Sequence, residues 1–164
     1  MSSTRTVVFV CLHGAAKSVI AASYLNHLSA ERGLNIRATA VGLEPESEVP
    51  PNVREGLLQE GLDVSRHRPR AVTVEELATA WRVVSFGCDL GRVAPPGLAV
   101  ERWDDVPLVS DGFLPARDTI ARQVRQLLDR SRGDDAEGAS TGGVSTAAVR
   151  RREGRSSLEA RSAS

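Results

Sequence analysis

The chain has 164 residues, with 21 lysines and arginines against 21 aspartates and glutamates. That length suits one ordinary domain with its own core. Zero net charge and 4% aromatic residues argue against a strongly basic surface or a base-stacking platform, and so against nucleic acid or an acidic membrane as partner.

The first element is Val7-Val8-Phe9-Val10, an apolar run that predicts a buried strand. Cys11 to Ser18 follows as a loop of small residues. Ser18 to Glu31 carries Ile20, Tyr24, Leu25 and Leu28 on one helical face and stops at Gly33. Asn35 to Val41 predicts a second strand, ended by Gly42. Pro50-Pro51 opens a helix through Gln59, with proline tolerated in the first turn. Thr73-Val74-Glu75-Glu76 has the capping-box pattern ahead of a short helix. Arg82 to Phe86 predicts a third strand and Val100 to Trp103 a short fourth. Gly112 to Arg130 predicts the last helix, striped by Ile120, Val124, Leu127 and Leu128.

Strands alternating with helices predict an α/β, three-layer domain: a four-stranded parallel sheet with helices on both faces. The domain is expected over residues 1–130. Residues 131–164 contain no aromatic residue and little apolar content, so a disordered tail is expected there. Arg150-Arg151-Arg152 is diluted by Glu153 and Glu159 and reads as a solvated run. No apolar stretch approaches the length of a bilayer span, and the first residues lack an apolar signal-peptide core. Two cysteines without export signals suggest a reducing compartment, so the expected location is the cytoplasm, with no membrane or nucleic-acid partner.

Lys17 is the only lysine in the chain, and it stands with Ser18 at the end of Cys11-Leu12-His13-Gly14-Ala15-Ala16-Lys17-Ser18. A strand, a small-residue loop and a helix N-terminus make a pocket of backbone N–H groups suited to an anion. Helix N-termini and cations also favour a cysteine as thiolate. The expected site therefore has Cys11 as nucleophile, the Leu12, His13, Gly14, Ala15, Ala16 and Lys17 segment around an oxyanion, and Ser18 donating to the sulfur. His27 and His67 read as surface or packing residues, and no His/Cys cluster implies a metal. The same frame fits a Walker A loop only with both glycines replaced, by Cys11 and Ala16, and those glycines set the backbone geometry that cradles phosphates.

Cys-x5-Lys-Ser resembles the Cys-x5-Arg-Ser/Thr loop of the low-molecular-weight protein tyrosine phosphatases and the related arsenate reductases. The resemblance continues in Ala40-Val41-Gly42-Leu43-Glu44-Pro45, in Glu60-Gly61-Leu62-Asp63-Val64-Ser65-Arg66-His67 and in Val83-Val84-Ser85-Phe86-Gly87-Cys88. Glu101-Arg102-Trp103-Asp104-Asp105 and Ala116-Arg117-Asp118-Thr119-Ile120 look closer to the arsenate reductase branch. The resemblance implies a low-molecular-weight-phosphatase-like fold and covalent chemistry of Cys11 on a small tetrahedral oxyanion. It also implies a general acid in a late loop, for which Asp105 is the first choice and Asp104 the second, since the family's Asp-Pro pair is interrupted by Val106.

Two departures bear on the reaction. Lysine is a point charge, whereas arginine grips two oxygens with a planar fork. Arsenate is more labile than a phosphate ester, so lysine favours thiol-dependent arsenate reduction over phosphatase activity. The asparagine usual in the loop is Gly14, which still permits a positive φ. Cys88 lies near the position of one resolving cysteine of the thioredoxin-coupled reductases, offset by one residue, and a second is absent. Cys88 is therefore either a resolving cysteine or a small buried residue. The expected reductant is an external thiol (mycothiol, glutathione or a thioredoxin-type partner), with no bound cofactor. The alternatives are a phosphatase acting through a Cys11 phosphoenzyme and a non-catalytic oxyanion-binding relative.

Overall fold

A computed structural model of the protein describes residues 4–141, with side chains through residue 132. Strand β1 (Arg5–Cys11) is buried from Val7 to Cys11. A strand with both faces covered must sit inside a sheet between helix layers. Its neighbours are β2 (Ile36–Gly42) on one side and β3 (Arg82–Ser85) on the other. A short β4 (Glu101–Arg102) completes a parallel sheet in the order β2-β1-β3-β4. Val10 pairs with Val41 and with Ser85, and Cys11 pairs with Gly42. The expected four-stranded parallel α/β architecture is the one observed.

The fourth strand is shorter than the expected Val100 to Trp103. Only Glu101 and Arg102 pair in the ladder, although the Trp103 N–H still donates to the Ser85 carbonyl at 2.9 Å. The Trp103 ring instead leaves the strand to pack with Phe9 and Phe86, centroids 5.5 and 5.6 Å away.

Helices lie on both faces of the sheet. Helix α1 (Lys17–Glu31) follows the cysteine loop, and its Ser18 meets Cys11, on the Phe9 side of β1. After α2 (Pro51–Leu58), helix α3 (Val74–Thr79) covers the other face. Its Leu77 belongs to the cluster of Val8, Val10, Val41, Val72, Val83 and Leu90. Helix α1 also closes the sheet edge. Asn26 accepts the Ala38 N–H at 2.8 Å and donates to the Ala38 carbonyl at 3.2 Å, standing in for a further strand.

The last helix, α4, spans Phe113–Thr141. Its Arg117 pairs with Glu60 at 3.0 Å, and Tyr24 of α1 donates to the same carboxylate. Burial, then the bond to Glu60, raises the Tyr24 phenol above its ordinary range. The helix was expected to end at Arg130, with a disordered tail from residue 131. Backbone 131–141 is helical instead. Elongating a nucleated helix is cheap, and this stretch contains no proline to stop it. The rest of the expected tail, 142–164, lies outside the described residues. The chain divides into two compact units, Met1–Gln126 and Leu127–Ser164. The first holds the sheet and every residue of the site below. The second holds the end of α4, where Ser131 donates to the Leu128 carbonyl at 2.6 Å. No described helix is long and apolar enough to cross a membrane.

The capping box expected at α3 is present: Thr73 accepts the Glu76 N–H at 3.2 Å, and Glu76 accepts the Thr73 N–H at 2.8 Å. Arg70 adds a fork onto Glu76 at 2.8 and 2.9 Å. Burial raises the Glu76 carboxyl, but the bonds from Arg70 and Thr73 outweigh it and hold it below the usual 4.5. A depressed acid stabilises the fold only while ionised. Glu76→Gln should therefore cost about 1 kcal/mol at neutral pH. The gap to wild type should close as pH falls below 4.5, read from urea midpoints across that range.

Candidate active site

Between β2 and β3 the chain reverses its direction of progress through the sheet. At such a switch point the loops leaving neighbouring strands diverge and open a crevice at their carboxyl ends. Cys11 is the last residue of β1 and faces that crevice. A cavity of about 430 Å³ is lined there by Cys11, Leu12, His13, Ala15, Ala16 and Lys17 of the loop. Glu46, Pro50 and Asn52 close one side; Phe86, Leu108, Val109 and Ser110 close the other. Two further hollows, of 290 and 510 Å³, contain neither cysteine.

Cys11 is 7% exposed, and its sulfur lies 3.0 Å from the hydroxyl of Ser18, which is fully buried. Either atom can donate in that contact; were the sulfur a thiolate, the hydroxyl would be the donor. Helix α1 starts at Lys17 from Ala16, with no side chain capping it and no acid in its first turn. Its first N–H groups thus lack intrahelical acceptors and are left for an anion.

The loop keeps its shape by backbone contact. Gly14 has φ +62°, and a Cβ there would stand 2.7 Å from the Gly42 nitrogen. A Cβ on Gly42 would stand 2.4 Å from the Gly14 nitrogen. The two glycines press together where Cys11 pairs with Gly42. Behind the loop, His67 Nε2 donates to the Gly14 carbonyl at 3.3 Å. In front, the Glu44 and Glu46 N–H groups donate to the Leu12 and His13 carbonyls at 2.7 and 3.1 Å. His67 was read as a surface or packing residue and Gly42 only as a strand end. The one available signal was their place in the Glu60–His67 and Ala40–Pro45 segments.

Lys17 is half-buried on the cavity wall, and its Nζ donates to the Val106 carbonyl at 3.2 Å. That partner is a neutral carbonyl, and the contact ties the ammonium to the loop after β4. Neither acid of that loop lines the cavity. Asp104 pairs with Arg102 at 3.1 Å, and Asp105 accepts from Gln123 of α4 at 2.8 Å. Both are exposed. Leu108, Val109 and Ser110 are the residues the loop presents to the crevice.

Cys88 is partly buried on the opposite side of the sheet. It packs against the cluster containing Val8, Val10 and Leu77, and its thiol donates to the Val10 carbonyl at 3.6 Å. Both cysteines are free. No described group of His, Cys, Asp and Glu has the arrangement of a metal site.

Gly42→Ala, a change of one methyl group, should destabilise the fold by about 1–3 kcal/mol, because backbone cannot yield as a side chain can. It should also abolish protection of Cys11 from alkylation by arsenate or phosphate. Urea denaturation and timed iodoacetamide labelling measure the two effects.

Three comparisons agree with this geometry. The chain is 27% identical over 138 residues to an inferred arsenate reductase of Halobacterium salinarum, covering 81% of this chain and 97% of that one. It superposes on the thioredoxin-dependent arsenate reductase of Corynebacterium glutamicum with a TM-score of 0.69 at 27% identity. That match covers 81% of this chain but spans only 64% of the length of the Corynebacterium chain. It superposes on YfkJ of Bacillus subtilis with a TM-score of 0.71 at 20% identity, covering 81% and 98% of the two chains, a likeness of fold. These relatives support a cysteine-based enzyme acting on an oxyanion. Residues 6–91 match the family model of the low molecular weight phosphotyrosine protein phosphatases. With the cysteine loop, the sheet order and that match in agreement, the chain belongs to the low molecular weight phosphotyrosine protein phosphatase family.

Proposed function

We propose that the protein reduces arsenate through a covalent Cys11 adduct, with an external thiol completing the cycle in the cytoplasm. The observation that carries this reading is the pairing of Lys17 with a loop that offers the cavity Leu108 rather than an acid. Hydrolysis of a phosphate monoester leans on a forked contact to two equatorial oxygens and on a carboxylic acid for the leaving oxygen. Loss of one well-aimed transition-state donor costs about 100- to 1000-fold in rate. Arsenate exchanges its oxygens far more readily, so a point charge with the loop amides can take the place of the fork. The names of the Halobacterium and Corynebacterium relatives support the same substrate.

In the first step the Cys11 thiolate attacks arsenic and one oxygen leaves as water, with arsenic still pentavalent. In the second, an external thiolate attacks the Cys11 sulfur. The S–As electron pair stays on arsenic, which leaves as arsenite, and Cys11 is left in a mixed disulfide. A further thiol or a redoxin reduces that disulfide. Cys88 sits among the Val8 and Val10 side chains, which favours an outside sulfur over an internal one.

With glutathione, mycothiol or a thioredoxin system as reductant, Cys11→Ser should lose all arsenate reduction. Cys88→Ser should keep more than about half of it, since thiol exchange needs only access to the adduct. A Cys88→Ser variant as inactive as Cys11→Ser, with a Cys11–Cys88 disulfide in non-reducing mass spectra of the wild type, would replace this scheme with a two-cysteine relay. Lys17→Arg should raise aryl phosphate hydrolysis, by about tenfold or more, through the restored fork. An unchanged rate in a folded variant would mean that lysine is not what limits phosphate chemistry. Wild-type turnover of aryl phosphate but not arsenate with any thiol would make the enzyme a phosphatase.

A further inference from the structure

Release of water from arsenate consumes a proton, and the cavity must hold its donor. Asp104 and Asp105 are engaged elsewhere, by Arg102 and Gln123. The ionisable side chains that do line the cavity are Cys11, His13, Lys17 and Glu46. Cys11 is the nucleophile. Lys17 is the fixed charge, and a lysine that gave up its proton would lose the attraction that holds the anion. His13 and Glu46 remain, and they face each other.

His13 Nδ1 lies 3.1 Å from the Glu44 carbonyl oxygen. A carbonyl only accepts, so that nitrogen carries the proton of the contact. The Glu46 carboxylate stands 3.7 Å from the same nitrogen. The ring is therefore oriented from its Nδ1 side, by a carbonyl and a carboxylate together, which leaves Nε2 as the nitrogen that can exchange a proton. A histidine whose Nδ1–H is held by an acceptor while Nε2 works is a recurring arrangement in proton-transfer catalysis. The side chains of His13 and Glu46 are 47% and 49% exposed, so solvent can reload the ring after each turnover. The backbone beneath them is joined as well, the Glu46 N–H donating to the His13 carbonyl at 3.1 Å.

We propose that His13, held by Glu46 and the Glu44 carbonyl, is the general acid of this site, in the role that the carboxylates of the loop after β4 do not fill. The inference rests on the oxyanion chemistry of Cys11 given under Proposed function. In the step it serves, the Cys11 thiolate, dihydrogen arsenate and one proton from His13 Nε2 give the Cys11–arsenic adduct and water. One S–As bond forms, one As–O bond breaks, and arsenic stays pentavalent. The imidazole then takes its proton back from solvent. If the substrate is an aryl phosphate, the same nitrogen protonates the departing phenolate.

The test uses the full chain and its His13→Gln and His13→Ala variants. General-acid assistance accounts for about 100- to 10,000-fold in rate. Both variants should therefore lose at least about 100-fold in kcat for arsenate-dependent thiol oxidation. Arsenate should still protect Cys11 from iodoacetamide at close to the wild-type concentration, because the loop amides and Lys17 remain. Added imidazole should restore His13→Ala in proportion to its concentration and leave His13→Gln unchanged, since only alanine opens space for it. A merely structural histidine would not answer to imidazole. On aryl phosphates, the loss should be large for phenyl phosphate and small for 2,4-dinitrophenyl phosphate, whose leaving group needs no proton. Wild-type kcat in both variants, or a loss that imidazole does not relieve, would overturn the role of His13 and leave the Cys11 chemistry standing. A wild-type protein that turns over neither arsenate nor aryl phosphate would overturn both.

Discussion

The site depends on one close approach, that of the Gly14 backbone onto Gly42. A loop that wraps an anion must turn its amides inward, which leaves its outer side as bare backbone needing support. Here the support is the end of β2. With no side chain on either residue, the loop nests against the strand at a separation that excludes even a methyl group. The contact sits beside the Cys11–Gly42 pair of the ladder, so the strand register that orders the sheet also sets the height of the cysteine. His67 then holds the Gly14 carbonyl from the segment that pairs alongside Gly42. The cysteine loop is thus packed onto the sheet as an extension of it.

Upon that frame, charge is distributed unusually for an oxyanion site. Lys17 offers one ammonium and spends one of its donors on the Val106 carbonyl. The ammonium that lines the cavity is thus also tied to the loop after β4. That loop, so fixed, turns its carboxylates outward to Arg102 and Gln123 and its leucine inward. An inward carboxylate would lie near the incoming anion and the thiolate, and like charges disfavour both. Turning the acids away removes that repulsion, at the expense of a proton donor on that side of the cavity. On the opposite wall the loop after β2 carries Glu46 against His13, at 3.7 Å.

What could be read from the sequence follows the range of the interactions. The placing of Cys11, Lys17 and Ser18 around one loop was legible because strand end, loop and helix start are contiguous. The capping box at Thr73 and Glu76 was legible for the same reason. The elements that close the cavity were not. Glu46, Asn52, Leu108 and Val109 reach the crevice only through the positions of two loops, and nothing in their own neighbourhoods marks them. His67 meets Gly14 across 53 residues, a contact no local pattern encodes. The direction of Asp104 and Asp105 depended on partners, one of them on α4. The end of α4 was misplaced because composition reports what a segment can bury, while a helix already begun extends by local hydrogen bonds.

The same dependence on register governs the second cysteine. Side chains alternate across a strand, so Val10 and Cys11 point to opposite faces of β1. Cys88 follows β3 through a turn in which its N–H and carbonyl both meet the Ser85 hydroxyl, and that turn delivers its thiol to the Val10 side. For Cys88 to reach the Cys11 sulfur, the turn would have to open, the Ser85 bonds break and the thiol leave its contacts with the Val8 and Val10 cluster. Each lost bond to a buried group costs about 1–3 kcal/mol, and a small thiol arriving from solvent through the open cavity meets none of those costs. A shift of one residue after β3 thus decides which face of the sheet the second thiol meets.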